Sequence, residues 1–426
     1  MSVLPTELEA ELDPALPAGA DPSTSAVLPP ARWLTPELLR LLAAASAWGF
    51  AFSTFYLLPK FLAQTFGAGP TEIGLVVGTF GITTVLFTPL AGRCVDRLAR
   101  RHMMAGGALL MAVAAAGFSL VGRIGPLMLA LRAVQGASYA FVVTAIGTLV
   151  ADFAPRERLG QALGLSGASM LIMNAIAPAV AEPLATLVGW RPVFALAAAA
   201  ALVSAALAAS VLEPPAHRVA GRGGLRELLR RRLAIHYAIV IALAGIAFGA
   251  VFTFQPPFAL ELGRAHVGGF FVAYACAAIL VRVGFGRLPD RLGAHRAALG
   301  ALVLYALVVL AMAGMRGWEV EPLGALFGLA HGVFYPTMNA IALSAVRREE
   351  RGRIMAVFTG AFSLGMWAGA TPLGPVAARA GYPAVFLLAA AGVAVAALIL
   401  ARSRELRGGT DATPDTAANL VEVEPL

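Results

Sequence analysis

From about position 37 onward the chain alternates between long apolar runs and short knots of charge. Met103–Gly122, Pro192–Leu212, Ala297–Met315 and Tyr382–Ala401 carry no Asp, Glu, Lys or Arg. Crossing the hydrocarbon core of a bilayer takes about 20 such residues in a helix. In lipid only helices and closed barrels satisfy their own backbone, and barrel strands would read as ~10 residues of strict alternation. That alternation is absent, so the pattern predicts an all-α polytopic membrane protein. Twelve spans are expected: 37–64, 71–91, 103–122, 126–150, 160–187, 190–212, 233–260, 267–288, 296–315, 321–345, 353–378 and 382–401. Spans five and eleven exceed what the bilayer needs, which implies tilt.

The charged knots repeat. "GRCVDRLARRH" at 92–102 follows span two, and "GRLPDRLGAHR" at 286–296 follows span eight. "GWRPVF" at 189–194 opens span six and "GYPAVF" at 381–386 opens span twelve. "FGAGPTEIG" before span two faces "LGRAHVGG" before span eight, and Glu182-Pro183 in span five matches Gly374-Pro375 in span eleven. The chain thus reads as two six-span bundles in parallel orientation, 36–212 and 233–402, joined by a basic connector at 213–232. Residues 1–35, rich in Pro, Ala, Glu and Asp with no positive charge before Arg32, lack the basic start of a signal peptide. They are expected to form a disordered acidic tail, and 403–426 a second one.

Composition agrees: 59% of the residues are hydrophobic and 13% charged, against about 25% charged in soluble domains. The basic residues are not spread evenly. Loops on one side hold nineteen, including Arg93, Arg97, Arg100, Arg101 and six in the connector, whereas the other side holds six: Lys60, Arg123, Arg191, Arg264, Arg316 and Arg379. The positive-inside rule makes the arginine-rich side, with both termini, cytoplasmic. The net charge of +8 is therefore a topology signal and not a nucleic-acid footprint. Cys94 and Cys276 fall in a cytoplasmic loop and a helix, so no disulfide is expected.

The doubled loop resembles the signature of the major facilitator superfamily, roughly G-x-x-x-D-R-x-G-R-R between spans two and three. Gly92, Asp96, Arg97, Arg100 and Arg101 match it, with Ala99 where the family prefers Gly. The second copy has that glycine as Gly293 and replaces the paired basic residues by Ala294 and His295. "LRAVQG" at 131–136 is similar to the family's R-x-x-Q-G element. The resemblance covers about residues 37–402 and implies twelve transmembrane helices in two pseudo-symmetric bundles. It also implies a secondary transporter in a cytoplasmic membrane, resembling the drug and metabolite efflux members.

The loop residues have a physical reading of their own. Gly92 and Gly286 sit at helix ends, where a missing side chain lets another helix approach. Asp96 and Asp290 are anionic groups able to meet a helix N-terminus or an arginine, and Arg97, Arg101 and Arg291 flank them. Contacts of this kind, made in one conformation and broken in another, form a cytoplasmic gate; the plainer reading is a set of topology determinants.

Ionisable and polar groups inside a bilayer are costly and mark function. Arg132, Gln135 and Tyr139 share one face of span four, and His331, Tyr335 and Asn339 one face of span ten. A shift of 196 residues puts Gln135 on His331 and Tyr139 on Tyr335, so both stripes are expected to line one central substrate cavity. Asn174 in span five and Gln255 in span seven add hydrogen-bonding capacity. Arg282, near the inner end of span eight, either reaches substrate or snorkels to the interface. Phe52, Tyr56 and Phe254 serve packing or binding equally well. Glu182 is the one carboxylate well inside a span. It is either a proton-coupling group, at a depth similar to that of Arg132 so that proton, substrate and arginine share it, or a packing residue at the outer rim.

Lys60 is the only lysine, so no G-x-x-x-x-G-K-[ST] phosphate loop exists and an ATP-driven pump is excluded. There is no H-E-x-x-H or close histidine pair and no G-x-S-x-G elbow; neither an enzyme, a cofactor nor a metal is expected. The partners expected are a small organic molecule, protons and the lipid bilayer, with no nucleic acid, and the protein is expected to be a monomer. Export in exchange for protons follows from the resemblance. Efflux antiporters usually carry Gly-Pro and paired glycines in span five, where this chain reads Ala177-Pro178-Ala179-Val180-Ala181-Glu182. An uptake symporter therefore stays open, with a non-transporting receptor a more distant reading.

Overall fold

The computed structural model describes residues 34–155, 158–213, 232–284, 292–346 and 351–403. The two expected tails, save Leu34, Thr35 and Ser403, lie outside the described residues. So do nearly all of the connector and the loop residues Gly286, Asp290 and Arg291, and the side chain of Asp96.

The described chain is helical: α1 (Pro36–Thr54), α2 (Leu58–Phe66), α3 (Pro70–Arg97), α4 (Arg100–Phe118), α5 (Pro126–Phe153), α6 (Leu159–Val188), α7 (Trp190–Ala209), α8 (Arg232–Glu261), α9 (Gly268–Gly284), α10 (Ala294–Met312), α11 (Val320–Ser344), α12 (Arg351–Ala370) and α13 (Gly374–Arg402). Among the described residues, ten helical segments are long and apolar enough to cross a membrane, and α9 and α12 stand where spans eight and eleven are expected. This is a multi-pass membrane protein. The end of the bundle where α1 begins and α13 finishes is here the terminal end, and the opposite one the distal end.

Two spans are less regular than the sequence pattern suggests. Span one is split by a 3₁₀ turn at Phe55–Leu57, because Pro59 has no N–H to give the Phe55 carbonyl and its ring crowds that position. Span eleven stops at Ala370, where Thr371-Pro372 begins a three-residue turn before α13. By contrast Pro178 and Pro183 are absorbed inside α6, as membrane helices allow when neighbours cover the freed carbonyls.

The helices of each half pack in one repeated scheme. In the first half α1 packs on α7 and α6, α3 on α5, and α4 on α5 and α7. In the second, α8 packs on α13 and α12, α9 on α11, and α10 on α11 and α13. The halves meet through α3 with α12 and α6 with α9, a pair of contacts that the same pseudo-twofold exchanges. One apolar core belongs to the first half, running from Leu38 to Ala208. The other is centred on the second half and reaches across to Leu57, Leu171, Ala181 and Val193.

The repeat extends to the backbone. Gly67 and Gly263, 196 residues apart, both have positive φ (62° and 80°), as do Gly189 and Gly381, 192 apart (87° and 79°). These turns suit glycine, which pays no Cβ penalty there. They are the joints announced by the paired "FG/LG" and "GW/GY" sequences. At the doubled loop the two copies differ. Gly293 has φ 82°, whereas Ala99 precedes α4 at φ −62°, so the first copy needs no glycine at that point.

Small residues let backbones touch where lipid offers no hydrophobic drive to bring helices together. Gly245 and Gly249 of α8 face Gly365 and Gly369 of α12, and a Cβ on any of the four would strike the opposing backbone. Gly369→Val should therefore cost ~1–3 kcal/mol through overpacking, seen as a lower thermal unfolding temperature of the detergent-purified protein. Gly360→Ala, on the same helix but with open space around the new carbon, should leave that temperature unchanged or raised.

Candidate functional site

A cavity of ≈ 220 Å³ lies between the halves. Phe52, Tyr56, Phe80, Tyr139, Met170 and Asn174 come from the first half. Phe248, Tyr274, Arg282, His331, Tyr335, Phe362 and Ser363 come from the second. The matching stripes on α5 and α11 thus meet at Tyr139, His331 and Tyr335. A smaller space of ≈ 50 Å³, sharing Phe52, Tyr56 and Phe80, is bordered by Arg132.

The expected cavity residues divide into three groups. Tyr139, Asn174, His331 and Tyr335 line the larger cavity. The Ser53 hydroxyl donates to Asn174 Oδ1 over 2.7 Å, and Tyr274 Oη lies 3.0 Å from His331 Nδ1. His331 Nε2 is buried with no partner among the described residues. Arg132 and Gln135 sit behind the wall. Arg132 donates to the carbonyls of Val76 (3.3 Å) and Val77 (3.2 Å) of α3 and to Gln135 Oε1 (2.7 Å), with its guanidinium over the Phe80 ring. It ties α5 to α3. Gln255, fully buried with neither amide atom partnered among the described residues, and Asn339 line neither space.

At the distal end Glu182 forms a second centre. Lys60 Nζ of α2 donates to Glu182 Oε1 at 2.6 Å and to the Ala265 carbonyl at 2.5 Å. The backbone N–H groups of Val267 and Gly268, at the start of α9, donate to Glu182 Oε1 and Oε2 at 2.7 Å each. Both charged side chains are nearly fully buried, 4% and 6% exposed. An α-helix offers unpaired N–H groups and positive potential at its start, so the carboxylate holds two charge-favouring donors besides its cation. Lys60 and Glu182 belong to the first half and Ala265, Val267 and Gly268 to the second: this cluster latches the halves together. The expected sharing of Glu182 with Arg132 is not present, since the partner is Lys60. Lys60 carries a usable signal as the chain's sole lysine, placed inside the limits of span one and not in a loop.

On the other side of the pseudo-twofold, distal closure is made by a glycine face of α3 packed on α12 and Thr371. Gly74, Gly78 and Gly81 of α3 face α12 so closely that a Cβ on Gly74 or Gly78 would collide with Ala370 or Thr371, and Thr371 Oγ1 donates to the Gly74 carbonyl at 3.1 Å. At the terminal end, three contacts lie within the first half. Arg100 pairs with Asp152, the Arg101 N–H donates to the Glu213 carboxylate, and the Arg101 guanidinium reaches the Val211 carbonyl. Arg97 is exposed, and a Cβ on Gly92 would meet nothing within 4 Å.

Sequence and fold comparisons agree on one family. The model of the Major Facilitator Superfamily matches residues 40–323 and 322–424. The chain is 28% identical over 365 residues to the multidrug resistance protein MdtG of Dickeya zeae, covering 82% of this chain and 89% of that one. It is 27% identical over 348 residues to the multidrug resistance efflux pump PmrA of Streptococcus pneumoniae, covering 77% and 86%. Its fold is similar to that of the nucleoside transporter NupG, with a TM-score of 0.74 at 15% identity over 86% of this chain and 99% of that one.

Removing one member of a buried ion pair strands the other at a cost of about 3–5 kcal/mol. Glu182→Gln should therefore loosen the distal end. Spin labels on the exposed distal positions Gln64 and Arg379, in a background without Cys94 and Cys276, should report a longer distance population in that variant. An unchanged distribution would mean that the glycine contact of α3 with α12 closes the distal end unaided.

Proposed function

The chain belongs to the Major Facilitator Superfamily, a family of transporters, and on that footing we propose that it exports a small organic molecule across a cytoplasmic membrane in exchange for protons, by alternating access. The observation that carries this reading is the cavity shared by both halves beneath a closed distal latch. The arginine-rich loops support a cytoplasmic terminal end, so the latched end faces outward. The names of MdtG and PmrA support export.

Glu182 is the proposed coupling carboxylate. Latched, its charge is held by Lys60 and two N–H groups. Opening the distal end would withdraw α9 and take those two donors away, leaving a carboxylate that a proton from outside can neutralise. Reclosing restores the donors and displaces the proton, which in an antiport cycle leaves through the central cavity to the terminal side. Arg132 would act indirectly, by fixing the wall at Phe80. At the terminal end we assign the gate to Gly92, Asp96, Arg97 and Arg101 together with Gly286, Asp290 and Arg291, making contact when the distal end is open.

Proton-driven uptake is the second reading, favoured by the absence of paired glycines around Pro178 in α6. Proteoliposomes separate the two. Export by antiport requires that substrate accumulate on the acidic side of an imposed pH gradient, and symport that it accumulate on the alkaline side. A protein that exchanges no labelled for unlabelled substrate in counterflow is no carrier at all.

Two substitutions follow from the assigned roles. Glu182→Gln should keep counterflow exchange and lose accumulation against a gradient; full accumulation by that variant would move coupling to another residue. Asp96→Asn should insert normally yet transport about 5- to 150-fold more slowly, since a charged contact worth ~1–3 kcal/mol is lost from one gate state. Equal transport at equal expression would reduce the loop to a topology signal.

A further inference from the structure

We infer that the central cavity selects organic anions with a flat aromatic body, and that Arg282 is the residue that reads their charge. This deepens the transport reading above by naming the substrate class of the same cavity.

The inference starts from the charges of the wall. Among the described residues, Arg282 is the only charged one lining the ≈ 220 Å³ space, and no Asp or Glu lines it. Its Nε is buried without a hydrogen-bond partner among the described residues. A guanidinium cannot shed its charge in a protein; Arg282 is half-buried, and no carboxylate among the described residues offsets its charge in the cavity wall. The carboxylate deepest in the first half cannot serve as its counter-ion, because Glu182 is taken up by Lys60 and the start of α9. Arg132, the other arginine between the halves, spends three of its five N–H donors on Val76, Val77 and Gln135 and borders only the smaller space. Arg282 is thus the one free cation of the cavity wall among the described residues.

The rest of the wall fits the same ligand. Phe52, Phe80, Tyr139, Phe248, Tyr335 and Phe362 offer ring faces and edges to a planar body. The polar groups between them favour donation. Asn174 Oδ1 is occupied by the Ser53 hydroxyl, which leaves its NH₂ to donate, and Ser363 adds a hydroxyl. A carboxylate laid on Arg282 would gain two parallel N–H donors. A cationic ligand would meet like charge and no carboxylate.

Three probes with one naphthalene body test this on the full-length protein purified in detergent, with protein-free micelles as the blank: 2-naphthoate, 2-naphthamide and 2-naphthylmethylammonium. Calorimetric binding should rank the anion at least about 10-fold tighter than the amide, with the ammonium weakest. In Arg282→Gln the ratio of naphthoate to naphthamide affinity should fall to about 1, and in Arg282→Lys it should fall only partly. A ratio within one variant is insensitive to a general loss of folded protein. Binding of the ammonium as tight as that of the anion, an unchanged ratio in Arg282→Gln, or no saturable binding of any probe would overturn the inference. Because binding is measured without vesicles, anion-selective binding by a protein that fails counterflow would leave this inference standing and overturn the transport reading.

Discussion

A carboxylate that leaves water inside a membrane protein must be met by donors, and Glu182 finds three of them on two other segments. That requirement sets the geometry of the distal end. Lys60 comes up from α2, which begins beyond the 3₁₀ turn that Pro59 imposes on span one. The start of α9 presents the N–H groups of Val267 and Gly268. Gly268 has to be small, because a Cβ there would sit 2.7 Å from Glu182 Oε2. One charged group therefore fixes the approach of α2, α6 and α9, while the partner interface, α3 with α12, closes through glycine against backbone. Two contacts related by the same pseudo-symmetry are made by different chemistry, one by ions and the other by close approach at glycines with a single Thr371 hydroxyl bond.

The halves also diverge inside. Arg132 and Gly328 occupy equivalent positions under the 196-residue offset that superposes Gln135 on His331. In the first half Arg132 spans the gap from α5 to α3 with a guanidinium laid on two carbonyls. In the second half Gly328 removes the gap, since a Cβ there would collide with the Tyr274 backbone of α9. The second solution draws α9 and α11 together and leaves His331, one turn further along, against Tyr274 and the cavity. Divergence at one position thus gives α5 and α11 different ways of packing on α3 and α9.

Much of the fold was legible because the apolar runs, the positive-φ glycines and the duplicated loops are local signals. Helix edges were less so: the break at Thr371-Pro372 and the turn before Pro59 depend on proline stereochemistry inside otherwise unbroken apolar sequence. Within the site, Tyr139, His331 and Tyr335 stand on stripes that helical periodicity picks out, and Asn174 stands out as a polar residue in an apolar span; periodicity tells which residues share a face. It does not tell how far a long side chain travels. Arg132 turns to backbone carbonyls of the neighbouring α3, 56 and 55 positions away. Lys60 reaches Glu182 across 122 positions, a pairing that no spacing rule contains.

The composition of the latch has one practical corollary. Lys60 is the only lysine, so the chain possesses a single side-chain primary amine, and that amine is 3% exposed while the distal end is shut. Acylating reagents applied from the distal side therefore find it only in molecules whose latch has parted. The protein carries its own chemical clock for conformational exchange, with no engineered label and a background limited to the chain's amino terminus.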